Sequence, residues 1–95
     1  MVVFCHYPLF PLDWHTLFNA DEVIEILAMR DCVKVWISGH NHHGNYGCRG
    51  GLHFVNVRGM VETEQQTAFA VAQLSDDALV ITGFGREPDR HLTLR

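Results

Sequence analysis

The chain has 95 residues, 47% of them hydrophobic, and a formal charge of -4 from seven Lys and Arg against eleven Asp and Glu. That length holds one small domain at most, and that composition excludes intrinsic disorder. Lys34 is the sole lysine and the six arginines are scattered, which excludes a nucleic-acid or anionic-membrane surface built on clustered positive charge.

Met1 to Cys5 reads as a buried strand. No basic region or long apolar stretch opens the chain, so neither a leader nor a spanning helix is expected. Tyr7 to Leu12 follows as an extended loop stiffened by Pro8 and Pro11. Asn19 has the character of a helix N-cap, with Glu22 as its capping-box partner. Val23, Ile24, Leu27 and Ala28 form an apolar stripe at helical spacing. Asp21 and Glu22 in the first turn and Arg30 in the last suit the helix dipole. The spacing therefore predicts a helix over about Ala20 to Arg30.

Val33 to Ser38 reads as a second buried strand. Strand, helix and strand make a βαβ unit with parallel pairing and a right-handed crossover. Beyond the turn Gly39-His40-Asn41-His42-His43-Gly44 the period changes. Leu52 to Val57 alternates, and Thr67 to Leu74 and Ala78 to Thr82 flank Ser75-Asp76-Asp77 as an antiparallel hairpin. Gly83-Phe84-Gly85 is expected to break the last strand, leaving Arg86 to Arg95 as a polar tail packed on something else.

The chemistry concentrates in the histidines. His40, His42 and His43 crowd into a Gly-bracketed turn directly after an apolar strand. Neutral imidazole is the commonest ligand for divalent transition metals. In extended chain, residues i and i+2 share a side, so His40 and His42 are expected to aim at one place. A lone histidine after a strand is more often a hydrogen-bonded core residue. The G-H-x-H at the next strand end turns His6, which follows Val2-Val3-Phe4-Cys5, toward a ligand reading. Parallel strands present ligands at their carboxyl ends, the usual binding edge of an open α/β sheet.

Three neutral nitrogens can hold one catalytic metal with water, whereas two metals also need a bridging anion. Asp13 and Glu62 are the nearest carboxylates by segment, and neither sits at a strand end. A cupin would place Glu where Tyr46 and Gly47 stand. Asp13-Trp14-His15 and Asp89-Arg90-His91 match D-x-H but follow no apolar strand and read as chance. His15, His53 and His91 read as ordinary surface or strand residues, and Asn41 and His43 as facing solvent or substrate. Cys5, Cys32 and Cys48 are odd in number and lack C-x-x-C spacing, which favours reduced thiols in a cytoplasmic protein. Cys5 and Cys32 read as small buried hydrophobes. Cys48 carries the alternative of a metal or substrate contact.

Phe4-Cys5-His6-Tyr7-Pro8-Leu9 and Ser38-Gly39-His40-Asn41-His42 resemble the last two metal-binding motifs of calcineurin-like metallophosphoesterases. Gly44-Asn45-Tyr46, Gly51-Leu52-His53-Phe54, Gly59-Met60-Val61-Glu62-Thr63 and Gly85-Arg86-Glu87-Pro88-Asp89-Arg90 resemble the manganese-dependent ADP-ribose/CDP-alcohol diphosphatase branch. The resemblance covers nearly the whole chain. It implies an α/β fold, a four-layer αββα sandwich with two divalent metals (Mn, Fe or Zn) at the sheet edges. His6 and His40 would bind one metal and His42 the other, all three serving catalysis. Asn41, His43, Tyr46 and Cys48 would border a nucleotide-type small-molecule substrate cleaved at a phosphoric ester or pyrophosphate bond. Gly39 and Gly44 would let the backbone bend at the site, and Asn45 to Gly51 would form a loop bordering the substrate.

The family's N-terminal D-x-H, bridging Asp and G-N-H have no counterpart here. Residues 1–95 therefore resemble the C-terminal part of such a domain, a βαβ unit followed by antiparallel strands, with half of the binuclear site. A non-catalytic metal-binding module and a self-associating fragment are the alternatives.

Overall fold

The computed structural model describes residues 1–95. The apolar runs Val2–Cys5 (β1) and Val35–Ser38 (β2) pair in parallel, Val2 opposite Val35 and Cys5 opposite Ser38. The helix Ala20–Ala28 (α1) connects them, completing the expected βαβ unit. Two antiparallel neighbours, Asn45–Arg49 (β3) and Leu52–Asn56 (β4), extend this sheet in the order β1-β2-β4-β3. The register of β2 and β4 is parallel, Ser38 opposite Asn56. Ala68–Leu74 (β5), Ala78–Gly85 (β6) and Arg90–Thr93 (β7) form a second, antiparallel sheet in chain order.

Strand alternation divides the first sheet's side chains between two cores. Trp36, Leu52 and Phe54 face the helix and pack with Leu9, Ala20, Ile24 and Val33. Val35 and Val55 face the second sheet and pack with Leu79, Ile81 and Leu92. The layers are thus helix, sheet and sheet. The outer face of the second sheet carries Phe69 stacked on Phe84 at 4.7 Å, with Val71 exposed beside them. Toward β1 and β5 the sheets part around an apolar cleft of about 520 Å³, lined by Phe4, Ile37, Val57, Met60, Phe69 and Ile81 among others. No helix is long and apolar enough to cross a membrane.

Several expectations are corrected. The stretch Asn45 to Arg49 is a strand, because Gly50 (φ 58) and Gly51 (φ 78) form a two-residue hairpin turn of the left-handed kind that matches strand twist. Strand β6 runs through Gly83 and Phe84 to Gly85, since its partner β5 continues pairing there. The polar tail holds a further strand, β7, which buries Leu92. The helix ends at Ala28, and Asn19 makes no side-chain cap. Its last carbonyls are met by Arg95, whose guanidinium donates to Leu27 O and Arg30 O at 3.2 Å each. Cys32 is exposed rather than buried.

Candidate metal centre

Because β1 and β2 end level with each other, the residues that follow leave the sheet side by side. Gly39 N donates to His6 O at 3.1 Å across this exit. Asn41 N then donates to Gly39 O at 2.8 Å, closing a tight turn in which His40 takes φ 63. A non-glycine residue in this region costs on the order of 1–3 kcal/mol and persists where its surroundings over-determine it. The turn carries His40 Nδ1 to 3.1 Å from His6 Nε2, with both rings exposed. Tyr7 lies 4.7 Å and His15 5.3 Å from the His40 ring, centroid to centroid.

The left-handed turn ends the extended geometry that would set His40 and His42 on one side. His42 goes elsewhere. Gly59 N donates to His42 O at 3.0 Å, and His42 Nδ1 donates to Glu62 Oε1 at 2.5 Å. A carboxylate only accepts, so this bond assigns the ring proton to Nδ1 and leaves the Nε2 lone pair free. The bond from His42 is the main reason the Glu62 carboxyl lies below its ordinary range; slight desolvation opposes it. Residue 59 packs so tightly under the ring that a Cβ there would lie 2.6 Å from His42 Cγ.

The other sequence-predicted residues are distributed as follows. Asn41 is 8% exposed, and both ends of its amide are bonded inside the protein. Nδ2 donates to Asp13 Oδ2 and Oδ1 accepts from His43 N, each at 3.1 Å. The expectation that Asn41 faces solvent is corrected on that ground. His43 is exposed, and its carbonyl accepts from Arg58 Nε at 3.2 Å. Tyr46 and Cys48 lie on β3, both exposed. Cys48 stands three residues beyond the turn end of that strand, about 10 Å along it.

His53 is 7% exposed and far from an ordinary surface residue. Its Nε2 donates to Thr93 O at 2.7 Å, so Nδ1 must accept from the Tyr46 hydroxyl at 2.9 Å. Burial raises the Tyr46 phenol, the Cys48 charge adds to the rise, and Arg90, 5.9 Å above the ring, opposes it.

Asp13 and His15, read as a chance match, sit at the turn because the Pro-stiffened loop folds back over it. Glu62 also reaches the site, brought there by the chain's return at Gly59. Nowhere do three His, Cys, Asp or Glu side chains converge into a ready metal cluster. The donors form two pairs, His6 with His40 and His42 with Glu62. The first pair has ligand spacing. Two imidazole nitrogens about 2.1 Å from one ion, at right or tetrahedral angles, stand roughly 3.0–3.4 Å apart. Ligation would replace the present hydrogen bond between the rings, because both lone pairs must then face the ion.

No family model matches the chain. Curated relatives do. The chain is 31% identical over 99 residues to the manganese-dependent ADP-ribose/CDP-alcohol diphosphatase of Mus musculus, covering 95% of this chain and 28% of that protein. The Xenopus laevis protein of the same name is 33% identical over 99 residues, 98% of this chain and 28% of the relative. A dimetal phosphatase from Danio rerio superposes with a TM-score of 0.91 at 29% identity, covering 99% of this chain and 32% of that structure. Over nearly its whole length the chain thus matches a segment of these metal-dependent phosphatases in sequence and fold. It spans under a third of the length of these relatives. The two nearly complete coverages run through both histidine motifs and the strands that carry them.

Proposed function

We propose that this chain supplies part of the metal site of a phosphohydrolase acting on nucleotide-type substrates such as ADP-ribose or CDP-alcohols. The observation that carries the reading is the His6–His40 pair, two exposed imidazole nitrogens at ligand spacing on adjacent strand ends. The names borne by the relatives give the substrate class and manganese as the metal. His6 and His40 would hold one divalent ion, and His42 would present Nε2 to a second. Bound divalent ions supply charge neutralisation for in-line attack on phosphorus. The chain's own residues have the remaining tasks. Glu62 keeps the His42 ring oriented and in the right tautomer. His43 and Tyr46 border the substrate side, with Cys48 farther along β3. Two imidazoles at one point and one at another are too few donors for a pair of dications, so the site is a half-site that needs further ligands and a bridging carboxylate. Three unpaired cysteines favour a reducing compartment such as the cytoplasm.

The test is a Mn²⁺ titration followed by paramagnetic broadening of histidine ring resonances, paired with an ADP-ribose hydrolysis assay. The expected result is weak binding that selectively broadens His6, His40 and His42, disappears from the first pair in His40→Ala, and gives negligible turnover. Broadening spread evenly over all seven histidines would overturn the metal assignment, and fast hydrolysis by the isolated chain would overturn the half-site reading.

A second behaviour is favoured by the exposed apolar surface. Phe4, Phe69, Val71 and Phe84 are all exposed around the cleft and the outer sheet face. Patches of this kind drive association. Sedimentation velocity is expected to show concentration-dependent self-association, weakened in Phe69→Lys; a monomer at all concentrations would refute it.

A further inference from the structure

We infer that Asn56 is a positioning residue for the metal-binding turn, a strut from the end of β4 that holds His40 in its left-handed conformation. For its metal-affinity arm this rests on the proposed function; its conformational arm does not.

Asn56 is 2% exposed at the last position of β4, on the helix-facing side with Leu52 and Phe54. Its Nδ2 donates to Asn41 O at 2.7 Å and to Val57 O at 3.0 Å. Two carbonyls on the amide nitrogen make the orientation unambiguous, since the flipped form would set oxygen against oxygen. Asn56 Oδ1 has no partner although it is buried. A buried polar atom without a partner is a cost that an apolar side chain would avoid. The residue is therefore placed for its donors.

Those donors act where the turn is decided. Asn41 O accepts from Asn56 Nδ2 on one side and from Gly44 N at 3.0 Å on the other. Both acceptor positions of that carbonyl are filled. The peptide it belongs to joins Asn41 to His42, so fixing it fixes the backbone on which both ligand rings stand. Asp13 and His43 N grip the Asn41 side chain at the same time. His40, at φ 63, is joined directly to this clamped residue. The role extends the logic by which groups behind a ligand orient it, whose loss typically costs 10–100-fold in metal affinity.

The experiment compares wild type with Asn56→Leu, which keeps the branched outline of the side chain and removes the donors. With unchanged far-UV circular dichroism, Asn56→Leu is expected to shift the His40 and Asn41 backbone resonances of the metal-free protein and to weaken Mn²⁺ binding at His6 and His40 by about tenfold or more. Unmoved His40 and Asn41 resonances would overturn the inference. If wild type binds no Mn²⁺, the metal reading fails while the metal-free resonances still test the strut. Should Asn56→Leu not fold, hydrogen exchange of the Asn56 side-chain amide in wild type replaces it. Strong protection supports the strut, and exchange at the rate of a free amide refutes it.

Discussion

Glu87 anchors the connection between β6 and β7, and truncating it should expose how the second sheet is tied to the histidine-bearing end of the first. Its carboxylate is buried and accepts from Arg58 N at 2.7 Å and from Arg90 Nη1 at 2.8 Å. The Arg90 side chain is itself 15% exposed. Arg58 in turn holds His43 O. Glu87→Ala leaves a guanidinium without its partner in a largely buried place, a loss of about 3–5 kcal/mol. The stranded Arg58 N–H contributes about 1–3 kcal/mol in its own right. Both losses come from one carboxylate and overlap, so the expected total stays near 3–5 kcal/mol. A domain of this size has about 5–14 kcal/mol in all, so the variant is severely weakened. Glu87→Gln keeps one acceptor oxygen and the volume and should lose about 1–2 kcal/mol. Arg90→Met added to Glu87→Ala should recover part of the loss, because the unpaired charge goes with it. The assay is urea unfolding followed by fluorescence of the buried Trp36, with Trp14, fully exposed, as a constant background. A loss under about 1 kcal/mol for Glu87→Ala, or equal losses for Ala and Gln, would refute the reasoning.

Two glycines with the same backbone sign should respond differently to alanine. Gly50 (φ 58) has open space around it, so Gly50→Ala should cost about 1 kcal/mol, whereas a Cβ at Gly85 (φ 64) would lie 2.0 Å from Thr67 O, so Gly85→Ala should cost at least twice as much in the same urea assay. Burial favours the neutral Tyr46 phenol in the folded state, raising it above the ordinary value of 10.0. The stability this contributes is complete below the unfolded value and is lost as pH rises through the folded one. The difference between wild type and Tyr46→Phe absorbance at 295 nm should titrate above free tyrosine; a midpoint at or below it would refute the hydroxyl's place against His53.

The βαβ unit was legible because its signals are local and agree: apolar runs of strand length, an apolar stripe at helical spacing, and a histidine turn at a strand end. The two-residue turn Gly50-Gly51 was also readable as a hairpin signal, and it would have revealed β3 despite the poor strand-forming residues Asn45, Gly47 and Arg49. Strand β7 offers little to read, with Leu92 its one apolar inward residue. The pairing of His6 with His40 followed from parallel strands ending level. The divergence of His42 did not, because it depends on the left-handed φ at His40, a tertiary outcome that no residue type there announces. Glu62 and Asp13 lay outside any pattern because they arrive on loops, one returning at Gly59 and one folded over the turn. The inward turn of Asn41 was hidden for a related reason: its partners, Asp13 and Asn56, are distant in sequence.

The tight packing beneath the His42 ring gives residue 59 a leverage that its chemistry conceals. Any side chain there acts as a wedge, tilting the imidazole away from Glu62 while leaving every donor atom in the chain intact. Substitution at this one backbone position would therefore disturb the His42–Glu62 pairing without altering either side chain.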